Sequence, residues 1–259
     1  MTISDGQIAL LLQQYMLPFS RIAMLFMVIP VFGSRVLPMR VRLVLALLLT
    51  AIVVPLIDTR YLFLDGILSL HSLLLIAREC LLGASIGFVL QIVFQVFVLS
   101  GQIMAMKIGL GFAMMNDPTN GVQTTVISQF FLILATVMFV AVNGHLYIIS
   151  LLVDSFTLLP IGSDWITADS LLKLVKLASW MFSAALVFSL PVVTSLLFIN
   201  IAFGVMSRAA PQLNIFAVGF PFTLMMGLVI IWIGLSNYFE AFTNSMNVGF
   251  EFIHTLIGV

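Results

Sequence analysis

Charged side chains are what this sequence has least of: 8% of its 259 residues are Asp, Glu, Lys or Arg, against about a quarter in an ordinary soluble domain. With 62% of residues hydrophobic and a mean hydropathy of +1.24, there is too little charge to cover a core in water, so a soluble fold is excluded. The ten basic and ten acidic residues cancel, and no basic block is present that could neutralise a run of phosphates, which excludes nucleic acid as a partner. The single cysteine, Cys80, rules out an intramolecular disulfide. It reads as a small buried apolar side chain rather than a reactive thiol. Met1 to Gly6 lack a basic n-region, and no small-residue cleavage site follows the first apolar run. The first hydrophobic segment is therefore expected to stay in the mature protein.

Local signatures of chemistry are missing too. There is no Gly-x-Ser-x-Gly elbow, no His-Glu-x-x-His pair and no pair of aspartates on facing segments. Gly109-Leu110-Gly111 lacks both the third glycine of a dinucleotide fingerprint and the Gly-Lys-Ser/Thr ending of a P-loop. His145 has Ala141 and Ile149 one turn away on either side, and His71 and His254 are isolated, so no metal-ligand spacing exists. The expectation is a protein that is not an enzyme, with no catalytic residue, no metal and no cofactor.

What is present is a series of long apolar runs. Cys80 to Met106, Pro118 to Val153, Leu177 to Ser207 and Ala209 to Phe239 are nearly or wholly free of charge, Ile8 to Pro30 is interrupted only by Arg21, and Val41 to Ile57 only by Arg42. A helix crosses the roughly 30 Å hydrocarbon core of a bilayer with about 20 apolar residues. A membrane barrel would instead alternate apolar and polar residues. The fold expected is an all-α, polytopic integral-membrane protein of about six hydrophobic helical segments. Pro18, Pro30, Pro191 and Pro221 lie in or at the ends of these runs, predicting kinked helices and helical hairpins. No internal repeat or long linker divides the chain, which points to a single membrane domain over 1–259. The segment Gly33 to Arg42 holds three basic residues and no acid, a cytoplasmic signature.

The polar residues inside the apolar runs narrow the possibilities. Arg21 costs about 2.5 to 3.5 kcal/mol at a helix centre unless something satisfies it. A buried contact with another helix is favoured over a pathway charge. Arg78 and Glu79 read as residues snorkelling from a helix end. Gln91, Gln95 and Gln102, spaced by four and seven, share one helical face, and Thr125, Gln129, Thr136 and Asn143 form a second stripe by the same arithmetic. Such groups hydrogen-bond across helix interfaces, so assembly contacts are favoured over a water-filled pathway. Gly83 and Gly87 form a weak G-x-x-x-G signal for close helix approach. Lys107 to Thr125, KIGLGFAMMNDPTNGVQTT, breaks the pattern with glycines, Asn-Asp-Pro and Asn-Gly. By composition it is either a surface loop or a re-entrant, pore-facing one.

Three stretches carry a resemblance: PVFGSRVLPMRVRLVLAL from Pro30, GLGFAMMNDP from Gly109 and SRAAPQLNIFAVGFPF from Ser207. In these, in order and in spacing, the chain resembles the FliR family of flagellar export-gate subunits, related to injectisome subunits of the SpaR and YscT type. The resemblance implies a non-enzymatic core component of the type III protein-export gate in the bacterial inner (cytoplasmic) membrane at the flagellar basal body. It implies a helical protein-conducting channel built with FliP- and FliQ-type membrane subunits and the larger FlhB-type subunit, with secreted flagellar proteins as substrates. Carried onto this sequence, the pore plug is the loop Gly109, Leu110, Gly111, Phe112, Ala113, Met114, Met115, Asn116, Asp117 and Pro118. Subunit contacts fall to Arg208, Pro211, Gln212, Asn214, Gly219 and Pro221, beside the glutamines Gln91, Gln95 and Gln102. The alternative is a secondary transporter of a small solute or ion, with a midplane site at helices kinked by Pro18, Pro191 and Pro221 and with Arg21 or Glu79 coupling ions. The lack of paired internal halves weighs against it.

Overall fold

In an apolar medium a backbone segment can satisfy its own N–H and C=O groups only as a helix or in a closed barrel, and helix is what the uncharged runs form. The computed structural model describes residues 5–33, 37–57, 69–110, 125–163, 167–209 and 215–258. Among them the helices are α1 (Asp5–Val28), α2 (Met39–Val53), α3 (Leu70–Ile108), α4 (Val126–Ala141), α5 (Gly144–Leu158), α6 (Ala168–Ala209), α7 (Ile215–Gly234) and α8 (Tyr238–Ile257). Short 3-10 turns follow α2 at Val54–Leu56 and join α7 to α8 at Leu235–Asn237. No strand occurs among the described residues, so the chain is an all-α polytopic membrane protein.

Four helical stretches among the described residues are long and apolar enough to cross a membrane, or five if the broken pair α4 and α5 is one span. That break falls at the Asn143-Gly144 turn: Asn143 has φ +57°, and its carbonyl accepts from the N–H groups of Leu146 and Tyr147. Pro18, Pro191 and Pro221 all lie inside helices. The sixth run, expected to end at Phe239, instead passes through the Leu235–Asn237 turn into α8. Counting uncharged residues hides α8. It is amphipathic, with Phe242, Met246 and Ile253 buried and Glu240, Asn244, Asn247 and Glu251 on the exposed face.

The chain divides into two compact units, one of Met1–Ile92, Phe139–Leu177 and Val248–Val259, the other of Val93–Met138 and Ala178–Asn247. In the first, α1 meets the early part of α3 with almost no side chain between them. A Cβ on Gly83 would collide with the Arg21 carbonyl oxygen, and one on Gly87 would lie 2.8 Å from Val28 Cβ. The G-x-x-x-G pair is therefore a real crossing, as small residues at membrane helix interfaces allow. α2 contributes a narrow buried seam of Ala46, Thr50 and Val53, while Leu43, Leu47, Leu48 and Ile52 stay exposed. At the start of α6, which joins this unit, Lys173 Nζ lies 2.8 Å from Asp169 Oδ2 one turn before it. That hydrogen bond holds the Asp169 carboxyl below its ordinary range.

The second unit is centred on an aromatic cluster. Tyr238 is completely buried, with ring centroids 5.2 Å from Phe97, 5.6 Å from Phe131 and 5.7 Å from Phe188. The Phe97 pair is tilted, the Phe131 pair stacked and the Phe188 pair edge-on, all at separations where aromatic rings attract. Its hydroxyl donates to the Phe131 carbonyl at 3.0 Å, satisfying the one polar atom in the cluster. Gly101 admits α4 closely, since a Cβ there would lie 2.8 Å from Ser128 Cα.

Gly83→Val would force α1 away from α3 because the obstruction is backbone rather than a flexible side chain. Overpacking of this kind costs about 1 to 3 kcal/mol or more. The expected outcome is a several-degree fall in the thermal unfolding midpoint of the purified complex, whereas Ser85→Val on the neighbouring partly exposed face should leave it within a degree or two.

Candidate functional site

Arg21 sits in the interior of α1 with no exposed surface, and its surroundings answer the cost of placing it there. Nε donates to Glu79 Oε2 at 2.7 Å. One terminal nitrogen donates to the Ser155 carbonyl at 2.9 Å and to Ser155 Oγ at 3.1 Å. The other reaches the Leu159 carbonyl at 3.0 Å. The guanidinium carbon also lies 4.1 Å from the centroid of the Phe156 ring, within cation–π range. Ser155 and Leu159 stand at the C-terminal end of α5, where a cation is favoured by the dipole; the Ser155 carbonyl also accepts from the Leu159 N–H at 3.0 Å, so helix and guanidinium share it. One side chain thus ties α1, α3 and the end of α5 together, and the helix-contact reading of Arg21 holds. Glu79 differs from expectation. It lies nine residues into α3 and is 3% exposed, so it is an interior ion-pair partner and not a residue snorkelling from an end. The available signal was Glu79, Gly83 and Gly87 at intervals of four on one face of α3.

Each nitrogen of Arg21 is engaged by the protein, so none points toward a solute, and this withdraws the geometry that an ion-coupled midplane site would use. Among the described residues no group of three His, Cys, Asp or Glu side chains could hold a metal.

α3 is 39 residues long and mostly buried, but one face stays open. Leu81, Phe88 and Met106 are exposed there, and so are Gln91 and Gln95, with Gln102 half-buried. Rotation by about 100° per residue puts these six within a strip about 80° wide. None of the three amides has a hydrogen-bond partner among the described residues. The second stripe behaves otherwise. Thr125 Oγ1 accepts from the Ser128 N–H at 3.2 Å as the cap of α4, Thr136 donates to the Leu132 carbonyl in its own helix, and Asn143 makes the α4–α5 turn.

The open face of α3 runs to a fixed end. The Leu110 N–H bonds to the Ala105 carbonyl at 3.0 Å and the Gly109 N–H to the Met106 carbonyl at 3.2 Å, the paired bonds of a Schellman cap. Gly109 has φ +100°, and a Cβ would also lie 2.8 Å from the Phe220 ring. Both conditions demand glycine. Of the expected plug, Gly109 and Leu110 form this root, while 111–118 lie outside the described residues.

Of the expected assembly motif, Arg208 is exposed at the end of α6, Gly219 is buried and Pro221 exposed in α7, and Pro211, Gln212 and Asn214 lie outside the described residues. The structure brings Gly219 and Gly109 into one unit. The long apolar helices leave much surface uncovered. On α6, Phe182, Val187, Phe198 and Val205 are at least 60% exposed.

Removing one partner from a buried ion pair costs about 3 to 5 kcal/mol, whereas an apolar pair of similar volume is often neutral. Arg21→Leu should therefore sharply reduce the folded yield, measured by accumulation in membranes and thermal unfolding. Arg21→Leu with Glu79→Leu should recover much of it. Failure of the double variant to improve on the single one would contradict this account of the pair.

Comparison with known proteins adds a family to this geometry. Bacterial export proteins, family 1, matches residues 12–248. The chain is 37% identical over 218 residues to the flagellar biosynthetic protein FliR of Pectobacterium carotovorum subsp. carotovorum, covering 84% of this chain and 82% of that protein. It is 36% identical over 220 residues to FliR of Escherichia coli (strain K12), covering 85% and 83%. FliR of Bacillus subtilis (strain 168) is 28% identical over 249 residues, 95% of each chain.

Proposed function

The chain belongs to bacterial export proteins, family 1, the family of the flagellar biosynthetic protein FliR, and from that premise we propose that it is a non-enzymatic core component of the flagellar type III protein-export gate. In this reading the whole chain acts as one gate domain in the bacterial inner membrane at the flagellar basal body. It assembles with FliP- and FliQ-type subunits and the larger FlhB-type subunit around a conduit for secreted flagellar proteins, and the loop rooted at Gly109 closes that conduit.

The observation that carries the reading is the row of unpartnered amides on α3. An unsatisfied amide in hydrocarbon costs several kcal/mol, so Gln91, Gln95 and Gln102 do not face lipid. Amides of this kind join helices by hydrogen bonds worth about 0.6 to 2 kcal/mol each, and a neighbouring subunit supplies the partners. Helix length supports the same view. At 1.5 Å per residue the 42 residues of α6 extend about 63 Å, about twice the hydrocarbon thickness, so part of its exposed apolar surface is left for protein to cover. Arg208, Pro211, Gln212, Asn214, Gly219 and Pro221 are assigned to the same kind of contact. The plug role of Gly109 to Pro118 draws on the glycine-capped root at the end of the amide face. Phe112, Met114 and Met115 supply apolar, deformable side chains for a seal.

Replacing Gln91, Gln95 and Gln102 together by Leu removes the amides while keeping the helix apolar. The triple variant should insert normally but co-purify with the other gate subunits at least tenfold less well. Wild-type co-purification would end the assembly reading of that face. Deleting Gly111 to Met115 in an assembled gate should raise ion leak across the membrane, and unchanged leak with unchanged export would remove the plug.

A further inference from the structure

Within the second unit, α7 is held along one narrow line and broken at one end. Its buried positions are Gly219, Thr223, Gly227 and Ile231, one per turn and mostly small, while Met225 and Trp232 are 61% and 73% exposed. The line grips the end of α3. A Cβ on Gly227 would lie 2.5 Å from Ile108 Cγ1, and the Phe220 ring covers Gly109. At the other end the helix gives way to the Leu235–Asn237 turn, and a 3-10 segment within a long helical run is a common hinge because its hydrogen bonds are poorer. Immediately beyond it Tyr238 is pinned by the Phe131 carbonyl and by the aromatic rings around it.

The hinge faces open space. A cavity of about 230 Å³ lies against it, lined by Phe188, Pro191, Ile231, Gly234, Asn237 and Ala241 among others, and a Cβ on Gly234 would meet nothing within 4 Å. The cavity is a groove open to the helix surface, where Val187, Gly234 and Asn237 are exposed, so no packed side chain opposes movement of α7 on that side. Pro191, on the α6 wall of the cavity, has no N–H, so the Val187 carbonyl lacks its helical donor and α6 is weakened at the same place.

We propose that α7 is a lever that pivots on the Leu235–Asn237 turn into this cavity, and that its grip on Ile108 and Gly109 passes the swing to the end of α3. The arm from Gly234 to Phe220 is 14 residues, about 21 Å, so a rotation of about 10° moves Phe220 by nearly 4 Å. Its consequence for export rests on the reading above that the segment rooted at Gly109 closes the conduit.

The test uses the assembled gate, idle or with a stalled export substrate, and spin labels at Met225 on the lever and Ile133 on α4, outside the gripped pair and both exposed in this chain. The label distance should change by a few ångströms on substrate loading. Ala241→Leu, which fills the cavity, should abolish the change and lower export at least tenfold while co-purification of the gate subunits stays normal. If Ala241→Leu fails to assemble, Pro191→Ala decides: it fills nothing and restores the missing donor, so reduced export with a diminished distance change supports the lever, and normal export overturns it. A distance that is the same in idle and loaded gates also overturns it. A changing distance in a gate whose leak is unaffected by deleting Gly111 to Met115 retains the lever and removes the plug. A fixed distance with increased leak on that deletion does the reverse.

Discussion

Enclosing a polar group in this chain is costly unless a partner within the protein meets it, because neither lipid nor packed helix offers a substitute for water. The hydroxyls obey this locally. Ser20, Thr50, Ser100, Ser155, Ser189 and Thr223 all donate to carbonyls three or four residues earlier in their own helices. Arg21 cannot do so, since a guanidinium needs several acceptors and a counter-charge. Its demand is met by bringing Glu79 and the C-terminal end of α5 to α1. Tyr238 poses the smaller version of the same problem, and one carbonyl of α4 solves it.

The same constraint makes the exceptions informative. Among the described residues, three glutamines on the open face of α3 have no hydrogen-bond partner, where a wholly lipid-facing helix would be expected to carry none. In the function proposed above they are contacts for a neighbouring subunit, as is part of the uncovered apolar surface on α2, α6 and α7. A chain of this composition has no reason to be self-sufficient. Its apolar surface distinguishes poorly between lipid and a neighbouring helix, and its amides distinguish sharply.

Glycine sets how closely the helices approach. At Gly83 and Gly227 another helix takes the space of a missing side chain, and at Gly109 the backbone turns through a conformation that other residues resist. Gly234 is different, because its missing side chain leaves room and not contact. Rigid crossing in the first unit and room beside a hinge in the second therefore come from the same residue type, separated only by what lies opposite.

Much of this was legible in the residues alone. The helical class, the long apolar segments, the single-face alignment of Gln91, Gln95 and Gln102 and the interruption at Gly109 follow from hydropathy, period and turn chemistry, which are local properties, whereas the run Pro118 to Val153, read as one segment with Asn143 on its helical stripe, is divided at Asn143 into α4 and α5. α8 was hidden because its polar face defeats a count of uncharged residues. The union of Arg21 with Glu79, the gathering of rings around Tyr238 and the cavity beside Pro191 were decided only by tertiary structure. Each joins residues more than 30 positions apart, and a one-dimensional pattern shows that a buried charge needs a partner without showing which helix brings it.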